Sequence, residues 1–437
     1  MTDTSTIFAL SSAPGRAGLA VIRLSGPSVR TALEKMIAPV PKPRAAAFRT
    51  IRDPLTGEAL DRALVLWFMA PASETGEDVA EFQTHGSPAV IKAMLAALGK
   101  LEGCRLAEPG EFARRGFENG KIDLAEVEGL ADLIEAETEA QRRQALAQSS
   151  GKLSELYEGW RARLIEIAAL TEAAIDFSDE ADVASSSLSE ARNRAQSLGT
   201  EIAAHLDDGH RGEIVRDGFR VALLGAPNAG KSSLLNALAR RDAAIVSAEA
   251  GTTRDVIEVR LDLAGLPVVI SDTAGIREAM SEVEREGIRR SLVAARDANL
   301  ILWLSEDGDS NPPDGISRET SLAIRSKADL TRESTANPLA VSALTGEGMD
   351  RLVREIAKRA AEAVGTGTEP VLTQARHRQS LEAALAEIRA FLVGPADAVE
   401  LRAEEIRRAA HAIGRITGRV DVEDVLREIF GRFCIGK

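Results

Sequence analysis

The segment from Gly225 to Ser232, Gly-Ala-Pro-Asn-Ala-Gly-Lys-Ser, constrains the fold of this chain more than any other feature. It follows the apolar run Phe219 to Leu224 and precedes the helix-forming run Ser233 to Ala239, which is the context that the P-loop pattern requires. Glycines let backbone N–H groups turn inward around a polyphosphate, Lys231 supplies a point charge, and the Ser232 hydroxyl can bind Mg²⁺. The sequence therefore predicts a strand, a phosphate-binding loop and a helix.

Two segments downstream have the composition and order of nucleotide-dependent switch loops. The first, Gly251-Thr252-Thr253-Arg254-Asp255, offers the Thr253 hydroxyl to Mg²⁺. The second, Asp272-Thr273-Ala274-Gly275, ends an apolar run with a carboxylate that can hold Mg²⁺ through water and a glycine N–H that can reach the γ phosphate. Each segment alone is also typical of an ordinary turn. Their order behind a P-loop favours a nucleotide site.

Two short segments predict which base the nucleotide carries. The carboxylate of Asp329, in Ser326-Lys327-Ala328-Asp329, can accept from both the ring N–H and the amino group of guanine, whereas adenine offers no such donor pair. Ser342-Ala343-Leu344 is predicted to complete the base pocket. Guanine is therefore expected. Ser326 replaces the asparagine that is common at its position, which predicts a weaker hold on the base.

The residue that activates water for hydrolysis is not in its usual place. Ile276 follows Gly275, and its apolar side chain cannot orient a water molecule as glutamine would. Glu284, in the acidic helix-forming stretch Glu282-Val-Glu284-Arg-Glu286, is the candidate catalytic residue and would act through a bridging water. Taken alone, such a glutamate is more typical of a solvated helix face.

Composition limits the function classes that this chain can serve. With 437 residues and 44% hydrophobic residues, it can form two or three domains. A net charge of -13 argues against non-specific coating of nucleic acid, so any such contact is local or shared with a partner. Cys104, Cys434 and the scattered histidines predict neither a disulfide framework nor a metal cluster. The absence of a signal-like start and of a long apolar run predicts a cytoplasmic location without membrane contact.

Changes in sequence character along the chain predict its domains. Residues 1–120 alternate short apolar runs with Gly and Pro turns, and predict a mixed α/β domain. Residues 121–215 and 366–437 repeat apolar residues at helical spacing, and predict two halves of one discontinuous all-α domain. Residues 216–365 alternate strands and helices, and predict an inserted P-loop GTPase domain with a doubly wound sheet. The short, Pro-containing connection from Leu304 to Leu322 leaves little room for a crossover helix and predicts a trimmed sheet edge.

Short motifs at both ends of the chain are more distinctive than the P-loop. They are Pro14-Gly-Arg16, Arg23-Leu-Ser-Gly26, Thr75-Gly-Glu-Asp-Val-Ala-Glu81, His85-Gly86, Glu108-Pro-Gly-Glu-Phe112, Lys121-Ile-Asp-Leu-Ala-Glu126 and Phe433-Cys-Ile-Gly-Lys437. With them, the chain resembles the MnmE (TrmE) family of tRNA modification GTPases over nearly its whole length. The resemblance implies a tetrahydrofolate-binding and dimerisation domain at residues 1–120, and a helical domain that ends in Cys-Ile-Gly-Lys.

The resemblance also implies an activity and partners. Family members form homodimers and join an MnmG-like enzyme, which uses FAD and NADH, in a heterotetramer. Together they add an aminomethyl or carboxymethylaminomethyl group at C5 of the wobble uridine of certain tRNAs, using a folate one-carbon unit. Potassium-activated hydrolysis of GTP, with Mg²⁺ as the other ion, drives or times that reaction. The expected folate is 5-formyl- or methylene-tetrahydrofolate.

Matched position by position, the resemblance implies which residues bind these groups. The folate contacts fall on Arg23, Glu81, Lys121 and Lys437, where a carboxylate suits the pterin and cations suit the glutamate tail. The K⁺ ligands would be Asn228, Ser247, Glu249 and Thr252, and the Mg²⁺ ligands Ser232 and Thr253. The candidate GTP-binding residues are Asn228, Ala229, Gly230, Lys231, Ser232, Ser233, Ser247, Ala248, Glu249, Ala250, Gly251, Thr252, Thr253, Asp272, Thr273, Ala274, Gly275, Ser326, Lys327, Ala328, Asp329, Ser342, Ala343 and Leu344.

Two other functions remain open from the sequence. The first is a GTPase switch of ribosome assembly, which would need an RNA-binding appendage that the sequence does not display. The second is a folate-dependent one-carbon transferase with a regulatory GTPase. Cys434 as a nucleophile would need an activating neighbour that the sequence does not identify. Several arginines could touch tRNA or a partner but are more typical of a solvated helix surface: Arg402, Arg407, Arg408, Arg415 and Arg419.

Overall fold

The computed structural model describes most of the chain, in two units. The described residues are 5–226, 228–241, 243–245, 257–272, 297–306, 317–330, 339–365, 371–395, 398–420, 423–431, 433 and 435–436. The first unit joins Met1–Ala131, Ser154–Glu158 and Gly414–Lys437, and the second joins Asp132–Leu153 and Gly159–Ile413. In the part that is described, no helix is both long enough and apolar enough to span a bilayer.

A six-stranded sheet of order β3-β4-β5-β2-β1-β6 forms the first unit's α/β domain. Its elements are β1 (Thr6–Leu10), β2 (Ala17–Ser25), α1 (Val29–Met36), β3 (Ala47–Arg52), β4 (Ala59–Phe68), β5 (Val79–Gly86), α2 (Pro88–Leu98), β6 (Cys104–Leu106) and α3 (Glu111–Glu118). β6 is parallel to β1, and the other neighbouring strands are antiparallel.

Alternation along the strands decides what each face of this sheet buries. In β2, Ile22 and Leu24 are buried with Phe82 against α1 and α2, while Arg23 between them points to the opposite face. On that opposite face, Phe112 of α3 packs against Ile7 and Ala9 of β1 in a smaller cluster. The domain therefore has helices on both sides of the sheet, and Arg23 lies on the α3 side.

The end of the chain packs back onto this first unit. Helix α13 (Glu423–Gly431) contacts α3 and α4 (Leu124–Glu135), with the rings of Phe117 and Phe430 6.4 Å apart. Ser11 Oγ donates to the carbonyl of Gly436 at 2.8 Å, and Ile435 forms an isolated antiparallel bridge with Pro109. Gly436 therefore lies beside the carboxyl end of β1.

The second unit contains the predicted GTPase sheet. Its six strands have the order β12-β11-β10-β7-β9-β8; β8 and β9 are antiparallel, and the other neighbours are parallel. The elements are β7 (Phe219–Gly225), α9 (Lys231–Ala239), β8 (Ile257–Leu263), β9 (Leu266–Asp272), β10 (Leu300–Ser305), β11 (Ser321–Arg325), a 3₁₀ turn (Ala328–Leu330), β12 (Leu339–Ala340) and α10 (Met349–Val364).

The core of this sheet explains why the apolar runs form parallel strands. Leu223 and Leu302 are fully buried among side chains of α9 and α10, so the strands are apolar throughout rather than alternating. Beyond β10 the sheet continues with β11 and ends at the edge strand β12, which has only two residues. Residues 307–316 of the short connection lie outside the described part of the chain.

Helices that precede and follow the sheet in the chain form one bundle. They are α5 (Glu139–Ser149), α6 (Lys152–Asp176), α7 (Ala181–Leu206), α8 (Arg211–Asp217), α11 (Ala375–Val393) and α12 (Val399–Thr417). A Cβ on Gly199 of α7 would lie 3.2 Å from Ile388 of α11, and Arg192 donates to the Leu392 carbonyl at 2.7 Å. This packing confirms the predicted discontinuous helical domain.

Candidate functional site

The loop between β7 and α9 has the backbone that a phosphate cradle needs. Gly225 has φ +153°, and a Cβ there would lie 2.3 Å from the carbonyl oxygen of Leu304, so only glycine fits. Asn228 and Gly230 also have positive φ, at +64° and +91°. These turns bring the chain back so that α9 starts at Lys231, with its free N–H groups at the loop.

Lys231 lies inside this loop. Its Nζ donates to the carbonyls of Gly225 at 2.8 Å and Ala226 at 2.9 Å. Burial lowers the pKa of Lys231, and the nearby Asp272 carboxylate acts in the opposite direction. Lys231 and the free N–H groups at the start of α9 therefore place positive charge where the phosphates of a nucleotide are expected.

Ser232 and Asp272 form the candidate Mg²⁺ pair. Ser232 Oγ donates to Asp272 Oδ2 at 2.7 Å, and Asp272 is buried at the end of β9. The two residues meet because β9 lies beside β7, with Asp272 opposite Leu223. A hydroxyl and a carboxylate at this separation fit Mg²⁺, which prefers oxygen ligands and few protein groups. Among the described residues, no cluster of three or more His, Cys, Asp or Glu side chains could hold a metal ion.

The two segments predicted to bind the base lie together. Ser342 Oγ donates to Asp329 Oδ1 at 2.5 Å and accepts from the Thr345 N–H at 3.2 Å. The Ala328 N–H donates to the Val341 carbonyl at 3.1 Å. One oxygen of Asp329 is therefore oriented by Ser342, and the carboxylate is held in one position. This is the preorganisation that a two-hydrogen-bond contact with guanine requires.

Ser326 lies next to the P-loop but is turned away from it. A Cβ built on Gly230 would be 3.9 Å from Ser326 Cβ, yet Ser326 Oγ and N both donate to the Ser305 carbonyl, at 3.3 Å and 2.9 Å. Lys327 follows with φ +53°, and its Nζ lies 2.5 Å from Glu306 Oε1. The sequence did not single out Glu306, because an acidic residue after a strand carries no motif.

Part of the predicted nucleotide and terminal sites lies outside the described residues. That part includes the catalytic candidate, most of the K⁺ ligands, one Mg²⁺ ligand and the last folate contact. The residues are Ser247, Ala248, Glu249, Ala250, Gly251, Thr252, Thr253, Thr273, Ala274, Gly275, Glu284, Cys434 and Lys437. Of the predicted K⁺ ligands, Asn228 is described, and its positive φ is one that asparagine tolerates better than most residues.

The first unit brings together the other predicted cluster. Arg23 of β2 is directly opposite Glu81 of β5, and its Nε and Nη2 lie 3.1 Å and 3.0 Å from Glu81 Oε1. The Arg23 guanidinium also lies 5.9 Å from the centre of the Phe112 ring. A cation, a carboxylate and an aromatic ring within contact distance are chemically suited to a ligand with an aromatic ring system and charged ends.

Lys121 approaches the same cluster through the loop before β5. A Cβ on Gly76, which has φ +79°, would lie 3.1 Å from Lys121 Cε. The neighbouring Glu74 Oε2 accepts from Arg23 Nη1 at 2.7 Å, so this loop is contacted by both predicted cations. Gly436 lies at the end of β1, whose Ala9 is paired with Arg23. Of the described folate candidates, Arg23 and Lys121 therefore contact one loop, and Glu81 contacts Arg23.

Beneath this cluster lies a buried ion network that the sequence analysis missed. Arg115 donates to Glu111 Oε1 at 3.1 Å and to both Glu77 oxygens at 3.2 Å, and Arg105 contacts Glu111 at 2.5 Å. Burial opposes ionisation of Glu111, but hydrogen bonds from Arg105, the Glu108 N–H and Arg115 outweigh it and lower its pKa. Two sequence signals were available: Glu77 and Glu111 belong to the same motifs as Glu81 and Phe112, and Glu111 and Arg115 are four residues apart on one helix.

Comparisons with known proteins match the whole chain. Residues 6–121 match the family model for the GTP-binding protein TrmE N-terminus, and residues 124–434 match that for the MnmE helical domain. The chain is 55% identical to the tRNA modification GTPase MnmE of Parvibaculum lavamentivorans, over 99% of this chain and 100% of that protein. It is 52% identical to the protein of the same name from Azorhizobium caulinodans, over 100% and 99%.

Among solved structures, Aquifex aeolicus Era bound to GDP·AlF4⁻ is 22% identical over 41% of this chain and 69% of that one, with a TM-score of 0.26. The G domain of the T. maritima FeoB iron transporter is 23% identical over 32% of this chain and 98% of that one, with a TM-score of 0.24. These scores are too low to describe the chain as a whole.

Proposed function

Because this chain belongs to the MnmE family of tRNA modification GTPases, we propose that it hydrolyses GTP to complete one step of wobble-uridine modification. With an MnmG-like flavin enzyme, it adds an aminomethyl or carboxymethylaminomethyl group at C5 of that uridine, from a folate one-carbon unit. The observation that carries the proposal is the 2.7 Å contact between Ser232 and Asp272 behind a P-loop, in a chain whose other unit pairs Arg23 with Glu81.

In the proposed GTPase site, each side chain has one task. Lys231 neutralises charge on the β and γ phosphates, and Ser232 with Thr253 holds Mg²⁺, which supplies further neutralisation. Asp329, oriented by Ser342 at 2.5 Å, accepts from two donors of guanine. Glu284 orients the attacking water. Potassium, bound by Asn228, Ser247, Glu249 and Thr252, is proposed to offset charge that develops between the β and γ phosphates.

In the proposed folate site, Glu81 accepts from the donor edge of the pterin, while Arg23, Lys121 and Lys437 bind carboxylates of the glutamate tail. The contact of Arg23 with Glu81 supports these roles, because an arginine held by a carboxylate on the neighbouring strand keeps a fixed orientation. Phe112, close to Arg23, offers an apolar surface for the flat part of the ligand.

The assembly follows from the family. We propose a homodimer through the domain of residues 1–120, a heterotetramer with the MnmG-like enzyme, and binding of tRNA by that assembly in the cytoplasm. Residues 121–215 and 366–437 would form the helical domain and residues 216–365 the inserted GTPase domain. The net charge of -13 supports shared rather than independent binding of tRNA, because phosphate contacts need a local excess of cations.

The test is mass spectrometry of tRNA nucleosides from cells that lack this chain. We expect the modified wobble uridine to disappear and to return with the wild-type chain, but not with Lys231→Ala or Arg23→Ala. Unchanged nucleosides in the deletion would contradict the proposal, and accumulation of immature ribosomal subunits instead would favour the ribosome-assembly switch. Full rescue by Lys231→Ala would favour a folate-dependent transferase whose GTPase is only regulatory.

A further inference from the structure

Arg23 has two carboxylate partners in very different settings. Glu81 is directly opposite it in the sheet, and its side chain is 18% exposed, whereas that of Glu74 is 55% exposed. Glu81 uses the Nε and Nη2 side of the guanidinium, and Glu74 uses Nη1 at 2.7 Å. The Nη1 side is the part of Arg23 that a carboxylate from solvent would have to use.

The backbone on both sides of Glu74 is held by buried contacts. Thr75 is fully buried, its Oγ1 lies 2.7 Å from Ser25 Oγ, and its carbonyl accepts from Asn119 Nδ2 at 2.8 Å. Glu77 is bound by Arg115, and its carbonyl accepts from Ser73 Oγ at 2.5 Å. The Glu74 side chain can therefore leave Arg23 by rotating into solvent, without movement of the loop.

We propose that Glu74 is a specificity residue of the folate site, because its carboxylate occupies the position of a ligand carboxylate on Arg23 and competes with the glutamate tail. The inference rests on the proposed folate site. Glu81 is not the competitor, because its place opposite Arg23 in the sheet keeps it on the other side of the guanidinium. A ligand without a tail carboxylate does not use Nη1, so Glu74 lowers affinity only for ligands that carry such a tail and reduces the preference of the site for them.

The size of the effect follows from the strength of an exposed ion pair. The ion pair with Glu74 leaves only a fraction of the Arg23 side chains free for a ligand. Removing Glu74 makes all of them free, so ligand affinity rises by the inverse of that fraction. For an exposed pair of ordinary strength, this factor is about two to six. Glu74→Gln should therefore tighten binding by about two- to sixfold, whereas most changes in a binding site weaken it.

Calorimetry of the full-length chain with 5-formyltetrahydrofolate tests the proposal. Glu74→Gln should bind more tightly, Arg23→Ala more weakly, and Glu74→Gln should have no further effect when Arg23 is alanine. The control is Glu58→Gln, which removes another exposed carboxylate from the turn between β3 and β4 at the sheet edge. An equal gain in that control, or a gain that persists without Arg23, would overturn the proposal as an effect of net charge alone.

If the proposed folate site itself is wrong, the same experiment gives a different result. If Arg23→Ala leaves affinity unchanged, the folate site itself is misplaced. If Arg23→Ala weakens binding and Glu74→Gln leaves it unchanged or weakens it, the site stands and the competition by Glu74 is wrong. The last measurement uses a folate whose tail carboxylates are converted to amides. The gain from Glu74→Gln should vanish with that ligand, and a gain that remains would show that Glu74 does not compete with the tail.

Discussion

Ser232 Oγ donates a 2.7 Å hydrogen bond to Asp272 Oδ2, although one residue begins a helix and the other ends a strand. The contact exists because β7 and β9 are parallel neighbours, so their carboxyl ends meet at one edge of the sheet. Asp272 is buried there and accepts a hydrogen bond from the hydroxyl of Ser232. A divalent ion would therefore find the Ser232 hydroxyl and the Asp272 carboxylate already adjacent, and neither side chain would need to move far to bind it.

Lys231→Ala and Ser232→Ala should each abolish GTP turnover. The first removes the cation inside the loop, and the second removes a Mg²⁺ ligand, while neither takes an apolar side chain from the core. Steady-state phosphate release measures the effect. Asn236→Ala is the matched control, because it lies on the exposed side of the same helix. Turnover at the wild-type rate in either variant would refute the site.

Ser326→Asn should tighten binding of GDP by about two- to tenfold, the range expected for one added hydrogen bond. Ser326 is adjacent to Gly230, so a longer amide side chain can reach the P-loop, whereas the serine hydroxyl is turned to the Ser305 carbonyl. Competition binding with a fluorescent GDP measures the change, and Ser317→Asn, at an exposed position, serves as the control. Unchanged or weaker binding of GDP would mean that an amide at position 326 adds no useful hydrogen bond to the P-loop.

The described geometry of the candidate nucleotide site was largely predictable, because the residues that form it lie in continuous segments. In a P-loop, the order of glycines, Lys231 and Ser232 determines the local geometry, and the strand order places Asp272 beside them. The ion pair of Lys327 with Glu306 could not be predicted in this way. It depends on the register between β10 and β11, in which Ser305 is opposite Arg325, and no motif encodes that register.

Glu111→Gln should destabilise the first unit at neutral pH by about 3 kcal/mol, because it removes one partner of a buried ion network. Glu111 is only 1% exposed and is bound by Arg105 and Arg115. Its pKa in the folded chain lies below the ordinary value of 4.5, so the unfolded chain takes up the proton first as pH falls. The stabilisation is therefore present above pH 4.5 and is lost as pH falls through the folded pKa.

Hydrogen exchange of peptides from β1 and β2, read by mass spectrometry across pH, isolates this unit from the rest of the chain. The variant should lose protection at neutral pH and show a shallower change below pH 4.5 than the wild type. Glu118→Gln is the control on the same helix, since its pair with Arg114 is exposed and contributes little. Equal protection in Glu111→Gln and wild type would show that the network does not stabilise the unit.

The α/β domain was less predictable than the nucleotide site. Alternation in β2 identifies Ile22 and Leu24 as core and Arg23 as facing the other way, since a strand has period two. The sheet order places β2 between β1 and β5, and this long-range pairing is what sets Glu81 opposite Arg23. Glu74, in the loop before β5, contacts Arg23 through the same pairing, so nothing local marks it.

GTP hydrolysis should be faster in K⁺ than in Na⁺ at equal ionic strength, because a coordinated site discriminates ions by size whereas screening does not. Asn228→Gly should remove the difference; glycine is chosen because Asn228 has φ +64°, which alanine would adopt only with strain. The test is GTP turnover in K⁺ and in Na⁺, measured for the wild type and for Asn228→Gly. Equal wild-type rates would remove the potassium hypothesis.

The last prediction concerns Glu284, which lies outside the described residues, as does Ile276. Ile276 cannot position water, so Glu284→Ala should slow the chemical step by about 10²- to 10⁴-fold, the usual scale for losing a general base or water-orienting group. Affinity for GTP should stay within a few fold of wild type, because the group acts on water and not on the nucleotide. Glu282→Ala should have a much smaller effect, since a residue two positions away faces another side of a helix.

Stopped-flow binding combined with single-turnover hydrolysis separates affinity from chemistry for these two variants. The defect of Glu284→Ala should be largest in K⁺, in which we expect wild-type hydrolysis to be fastest. Cleavage at the normal rate by Glu284→Ala would show that the glutamate does not orient the water. An equal defect in Glu282→Ala would show instead that the stretch acts through its overall negative charge and that no single carboxylate orients the water.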